Sequence, residues 1–265
     1  MSAPPRVLIT GAAGRIGRAL RSGLRGHYPL LRLGDVAPQQ AAGPSEEVVA
    51  LDLNDRLGTE AAMKDVDMVI HLAAIASEAS FDDILAANIT TTYSVFEAAR
   101  RAGIRRVVYA STHHVMGFYA RGESVGPHDP VRPDSLYGVS KVFGEALGRL
   151  YADKYGLDVV CLRIGAFAER PRSGRELSTW LSPRDCVQLV RCCLDAPAVG
   201  FTVVYGVSAN TRRWWQDDAA ARLGYYPQDN AEEFAAQLEE PPSTAPSRLA
   251  DRLQGGSFVE KDPGA

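Results

Sequence analysis

No apolar run reaches the roughly 18 residues that a membrane-spanning helix needs, so no transmembrane segment is expected. Nor is there an excess of one charge. Lys and Arg number 29 against 32 Asp and Glu, a net charge of −3, which argues against a nucleic-acid binder with its basic footprint. Met1 to Pro5 leads straight into a strand-like segment without the apolar stretch of a secretory signal, and a cytoplasmic protein is expected. Cysteine is scarce. Cys161, Cys186, Cys192 and Cys193 lack C-x-x-C spacing, which removes the usual metal and redox motifs and leaves buried thiols as their expected state. Internal repeats and blocks of like charge are also missing.

What is present is an ordinary globular composition, 46% hydrophobic and 23% charged over 265 residues. Short apolar runs alternate with longer amphipathic segments, the pattern of a parallel sheet wrapped by helices. Strands are expected at Arg6–Thr10, Leu30–Asp35, Glu47–Asp52, Met68–Leu72, Arg106–Ser111, Asp158–Ile164 and Phe201–Tyr205. Helices are expected at Arg15–Leu24, Ile84–Ala102, Tyr137–Tyr155, Pro183–Asp195 and Gln216–Leu223. The fold class is α/β, a Rossmann-type doubly wound parallel sheet in a single domain over residues 1–265. The alternation weakens after Gly165, so residues 166–265 are expected to supply a small substrate-covering C-terminal part. Pro241, Pro242 and Pro246 mark a surface strap within it.

Thr10-Gly11-Ala12-Ala13-Gly14-Arg15-Ile16-Gly17 joins the first strand to the first helix with G-x-x-G-x-x-G spacing. Glycines there let the backbone turn tightly and approach a pyrophosphate, which sits on the amides of the helix N-terminus. Asp35 closes the second strand, where an acid accepts the ribose hydroxyls of NAD and repels the 2′-phosphate of NADP. NAD is therefore the expected cofactor, held by Gly11, Ala13, Gly14, Arg15, Ile16, Gly17 and Asp35. Asp52-Leu53 after the third strand and Ala73-Ala74 after the fourth fall beyond the carboxyl ends of the strands, where such sheets bind ligands.

Tyr137 and Lys141 stand one turn apart on one face of a helix. A phenol near pKa 10 is a poor base at neutral pH, and a neighbouring ammonium favours its ionised form. The preceding strand ends in hydroxyls, in Ser111-Thr112-His113-His114-Val115-Met116-Gly117. Glycine loop, strand-end hydroxyl and Tyr-x-x-x-Lys together resemble the extended short-chain dehydrogenase/reductase superfamily, in its NAD-dependent epimerase/dehydratase branch. That resemblance assigns the strand-end role to Thr112. It implies that Tyr137 takes the substrate proton, Thr112 holds the substrate oxygen, and Lys141 grips the nicotinamide ribose. It also adds Leu72, Asn88, Tyr137, Lys141 and Ile164 to the cofactor set.

His71-Leu72-Ala73-Ala74, Leu162-Arg163-Ile164-Gly165, Leu177-Ser178-Thr179-Trp180 and Gln254-Gly255-Gly256-Ser257-Phe258 narrow the resemblance to the uronate dehydrogenase family, from about Arg6 to Val259. Such enzymes oxidise C1 of the hexuronic acids glucuronate or galacturonate with NAD, giving the aldaro-lactone. The substrate's carboxylate calls for a guanidinium, and the resemblance picks Arg175 from Arg170-Pro171-Arg172-Ser173-Gly174-Arg175. Ser77, Ser111, Thr112, His113, His114, Tyr137 and Ala166 complete the implied substrate set. The two histidines also read as satisfied loop residues, and no metal is expected, since adjacent side chains diverge and no third ligand is spaced nearby. The chain departs from the family's more usual Ser-Asn at Thr112-His113, and from its usual serine at Ala166. Both changes alter the hydrogen bonds available to the sugar.

Two alternatives stay open on sequence. A nucleotide-sugar epimerase or dehydratase uses the same cofactor and the same Tyr–Lys pair, though usually with a larger C-terminal part. An NAD-sensing regulator would bind without turnover, and usually lacks that pair. A homo-oligomer is expected by analogy, through the helices at Ile84–Ala102 and Tyr137–Tyr155.

Overall fold

A computed structural model describes residues 5–41, 43–216, 218–238 and 248–263. The strap at Pro241, Pro242 and Pro246 lies outside those residues. The described strands are β1 (Val7–Thr10), β2 (Leu31–Asp35), β3 (Glu46–Ala50), β4 (Met68–His71), β5 (Arg106–Thr112), β6 (Asp158–Ile164), β7 (Ala166–Phe167), β8 (Trp180–Leu181) and β9 (Phe201–Gly206). Seven of them form one all-parallel sheet in the order β3-β2-β1-β4-β5-β6-β9, the doubly wound Rossmann arrangement. The order reverses between β1 and β4, so a crevice opens beyond their carboxyl ends.

The α-helices among the described residues are α1 (Arg15–Leu24), α2 (Arg56–Ala62), α3 (Phe81–Ile84), α4 (Thr91–Arg101), α5 (Leu136–Tyr155), α6 (Glu176–Thr179), α7 (Pro183–Asp195), α8 (Asp218–Arg222), α9 (Ala235–Leu238) and α10 (Leu249–Arg252). Alternation along the strands sorts the core into two layers. Val7, Ile9, Val108 and Val160 pack on α1 and α7, while Leu8, Val107, Tyr109 and Val159 pack on α4 and α5. Local chemistry sets the helix ends. Ser182 caps α7 by accepting from the Asp185 amide at 3.0 Å, ahead of Pro183 at the first helical position. Gly156 closes α5 in the left-handed region, with φ 70°. Buried Arg106 on β5 donates to the Cys193, Leu194 and Ala196 carbonyls at 2.7–2.9 Å, and so holds the C-terminus of α7 to the sheet.

The C-terminal part and two helical features complete the comparison with the expectation. Within residues 166–265, α7 packs beside α1 and β9 adds the edge strand of the main sheet next to β6, so this part both completes the sheet and lines the site. The helix expected over Ile84–Ala102 is α3, a π-turn at Leu85–Thr90, then α4, because hydrophobic period alone does not register one extra residue in a turn. The short α2 was not expected; its apolar pattern is brief, and Asp55 caps it by accepting from the Leu57 amide. The four cysteines form no disulfide among the described residues; Cys192 is half-buried and the others are buried. No helix among the described residues is long and apolar enough to cross a membrane.

Candidate active site

The loop after β1 follows from its glycines. Gly11 has φ +73°, and a Cβ there would lie 2.6 Å from the Ala73 nitrogen. A Cβ on Gly17 would lie 2.5 Å from the Gly11 carbonyl. The loop thus packs flat against the end of β4, and α1 begins with no side chain capping its amides. Uncapped amides above a backbone too close for side chains fit a dinucleotide pyrophosphate. A cleft of about 600 Å³ is lined by Gly11, Gly14, Arg15, Ile16 and Gly17, and beyond them by Leu72, Ala74 and Ile164. A second cavity of about 460 Å³ shares Gly11, Gly14, Leu72 and Ala74 with it and adds Ala13, Asp35, Asp52, Leu53 and Ala73. Together they form one groove over the loop. Asp35 accepts from the Ala13 and Ala37 amides, both at 2.9 Å, so the ribose-side acid also braces the loop.

Asn88 lines neither cavity. Its amide spans the Ile75 backbone, accepting from N at 2.9 Å and donating to O at 3.0 Å, and it donates to Ser140 Oγ at 2.9 Å. Every polar atom of the side chain is engaged, which makes it a brace between the β4 loop and α5.

Tyr137, Lys141 and Thr112 line the first cleft. Tyr137 lies on the first turn of α5, which Ser135 caps by accepting from the Gly138 amide at 3.0 Å. Lys141 places its ammonium 5.9 Å from the Tyr137 ring centroid and 5.0 Å from that of Tyr109. Burial pushes the Tyr137 phenol up to about 12, opposed by a hydrogen bond with Thr112. Burial also brings the Lys141 ammonium down to about 7. The sequence predicts a phenol lowered by its ammonium; with both groups buried, desolvation is the larger effect.

The substrate side is built around Arg175, half-buried above Trp214 at 5.8 Å. Its Nε donates to the Gln254 carbonyl at 3.0 Å, Nη2 donates to the same oxygen, and Nη2 also donates to His113 Nε2 at 2.8 Å. The glycines of Gln254-Gly255-Gly256 permit that approach. A Cβ on Gly256 would lie 2.7 Å from Arg175 Nε, and one on Gly255 would collide with Asp134. His114 bonds Asp134 at 2.7 Å and stacks on Phe258 with ring centroids 3.9 Å apart. Burial raises the Asp134 carboxyl to about 6 and holds both histidines well below their usual range, with Arg175 acting on both in the same sense.

His113, His114, Ser111 and Ala166 also line the cleft. The Ser111 hydroxyl, however, donates to Glu145 at 2.6 Å, inside a buried ion pair of Glu145 with Arg163. Ser77 is exposed, its hydroxyl donates to the Glu78 carbonyl, and Ala76 lines the cleft in its place. The one-residue difference follows from the loop's turn, which sequence spacing does not reveal.

Residues 7–175 match the NAD dependent epimerase/dehydratase family. A uronate dehydrogenase of Pseudomonas putida is 43% identical over 97% of this chain and 97% of its own. A glucuronic acid dehydrogenase structure from Chromohalobacter salexigens superposes with TM-score 0.94 at 42% identity, covering 98% of both chains. The chain belongs to the uronate dehydrogenase family. A mutant uronate dehydrogenase from Agrobacterium tumefaciens, solved complexed with NAD, superposes with TM-score 0.92 at 42% identity over 97% of this chain and 98% of that one. Membership makes this chain an NAD-dependent oxidoreductase.

Among uronate dehydrogenase features of the chain, several supporting residues carried no sequence signal of their role. Glu78 accepts from the Leu136 and Tyr137 amides at 3.0 and 3.1 Å, so the β4 loop grips the turn that bears Tyr137. Asp134 fixes His114. Gln254 is fully buried and satisfied, accepting from Trp215 Nε1 at 2.8 Å and donating to the Ala120 and Glu123 carbonyls. The Gln-Gly-Gly segment was visible as a pattern, without its purpose.

Proposed function

We propose that the protein oxidises the C1 hydroxyl of glucuronate or galacturonate to the aldaro-lactone. The observation that carries this reading is a guanidinium, Arg175, lining the same cleft as Tyr137, Lys141 and Thr112. A carboxylate at Arg175 would orient the sugar with C1 toward the hydroxyl pair. Tyr137 takes the C1 hydroxyl proton while Thr112 holds the same oxygen. A cationic Lys141 favours the phenolate form of Tyr137. Bound along the glycine loop and Asp35, NAD supplies the hydride acceptor. The same reading takes the protein as a cytoplasmic homo-oligomer. Its support is four cysteines that form no disulfide among the described residues, and exposed apolar side chains, Tyr93 on α4 and Val139 and Leu150 on α5, where a second copy would pair.

The test is NADH formation with NAD and glucuronate, galacturonate, glucose or UDP-glucuronate in separate reactions. Turnover of both free uronates but not glucose is expected. Silence with free uronates, together with binding of the nucleotide sugar, would instead favour a nucleotide-sugar epimerase.

A further inference from the structure

His113 has both ring nitrogens engaged, by partners of opposite kind. Nδ1 lies 3.0 Å from the Ile164 carbonyl, which only accepts, so Nδ1 carries the proton. Nε2 is then a lone pair, and it accepts from Nη2 of Arg175, which only donates, at 2.8 Å. The imidazole is held as one neutral tautomer and has no donor or acceptor left for a sugar hydroxyl. It is 4% exposed and lies 5.4 Å from the Trp215 ring, so it cannot turn away freely.

Seen from Arg175, the constraint is complementary. The Gln254 carbonyl takes Nε and one proton of Nη2, and His113 takes the other. Nη1 has no partner among the described residues. The edge that would form a two-bond fork with a carboxylate is thereby turned onto the protein, and one nitrogen is left for a ligand.

We propose that His113 is a positioning residue for carboxylate recognition: by accepting from Nη2, it holds Arg175 in the orientation that leaves Nη1 for the acidic group of the substrate. This rests on the reading of Arg175 as the group that binds a uronate carboxylate. Loss of the acceptor removes one of the three hydrogen bonds that fix the guanidinium and exposes an Nη2 proton that competes with Nη1 for the carboxylate, while chemistry at Tyr137 stays intact, so it acts on substrate affinity and not on the catalytic step.

The test compares His113→Leu, His113→Gln and Arg175→Ala with the unaltered protein, measuring kcat and KM for glucuronate and Kd for NAD. Leucine should raise KM about ten-fold or more, with kcat within about three-fold and NAD binding unchanged. Glutamine, whose amide can donate to Ile164 and accept from Arg175, should restore most of the KM. If leucine does not fold, His113→Ser, polar but too short to reach Arg175, carries the same KM test. A normal KM for the leucine or serine variant, beside a raised KM for Arg175→Ala, overturns the role of His113 and leaves Arg175 as the carboxylate group. A normal KM for Arg175→Ala overturns the reading of Arg175, and this inference with it. Equal losses in kcat, KM and NAD binding, not rescued by glutamine, would make His113 a packing residue only.

Discussion

Burial moves Tyr137 and Lys141 in opposite directions, because each is penalised in its charged form: the phenol rises to about 12 and the ammonium falls to about 7. A phenolate–ammonium pair is therefore disfavoured in the protein alone, and the phenol gives up its proton only where proton transfer is coupled to the reaction. This makes the hydroxyl of Tyr137 the residue most sensitive to change. Tyr137→Phe removes one oxygen from a buried ring without opening a cavity. Turnover is expected to fall at least about a hundred-fold while Kd for NAD changes less than about two-fold, as read by steady-state kinetics and a binding titration. Persistent turnover would assign the proton transfer to another group.

At the scale of elements, the site depends on how α5 begins. Two side chains from different places close its first turn, Ser135 from the preceding loop and Glu78 from the loop after β4. An acid at a helix N-terminus satisfies orphan amides and meets the positive end of the helix dipole. Glu78→Ala should cost about 1 kcal/mol of stability, measured as a lower urea midpoint. It should also lower kcat more than it raises KM for uronate, because the turn it releases carries Tyr137. A shift in midpoint with unaltered kcat would show that Ser135 alone positions the tyrosine. The π-turn at Leu85–Thr90 belongs to the same scale, since it carries Asn88, which ties Ile75 to Ser140 and so links the loop beside the cofactor groove to α5.

For the whole molecule, three buried neutral histidines set the response to acid. His71 lies between Thr10 at 2.8 Å and Thr92 at 3.4 Å, and burial brings it down to about 3; His113 and His114 are lowered as well. A group whose pKa is depressed on folding binds more protons unfolded, so its contribution is complete above the unfolded value near 6.5 and is lost as pH falls. Asp134, raised to about 6, acts the other way, losing stability as pH rises through that value. Three groups outweigh one, and stability should fall from about pH 6.5 downward, each histidine contributing up to about 1.4 kcal/mol per pH unit. His71→Gln removes one of them, and denaturant unfolding at several pH values should show a correspondingly shallower slope. An unchanged slope would mean that His71 is not held neutral.

Much of this was legible from the chain alone. The apolar strand runs, the glycine loop, Asp35 and the Tyr137–Lys141 spacing depend on neighbours within a few residues, and local backbone geometry converts such patterns directly into strands, turns and helix faces. The doubly wound parallel class of the sheet followed from them, while the order of its strands came from the structure. Tertiary structure alone decided that Ala76 and not Ser77 lines the cleft, that Ser111 donates to Glu145, and that Asn88 ties the β4 loop to α5. It alone brought Gln254 and His113 to Arg175 from distant parts of the chain. Those outcomes turn on where a few buried donors and acceptors find partners. A buried polar group must be satisfied by whatever the fold places within about 3 Å, and spacing along the chain does not encode that.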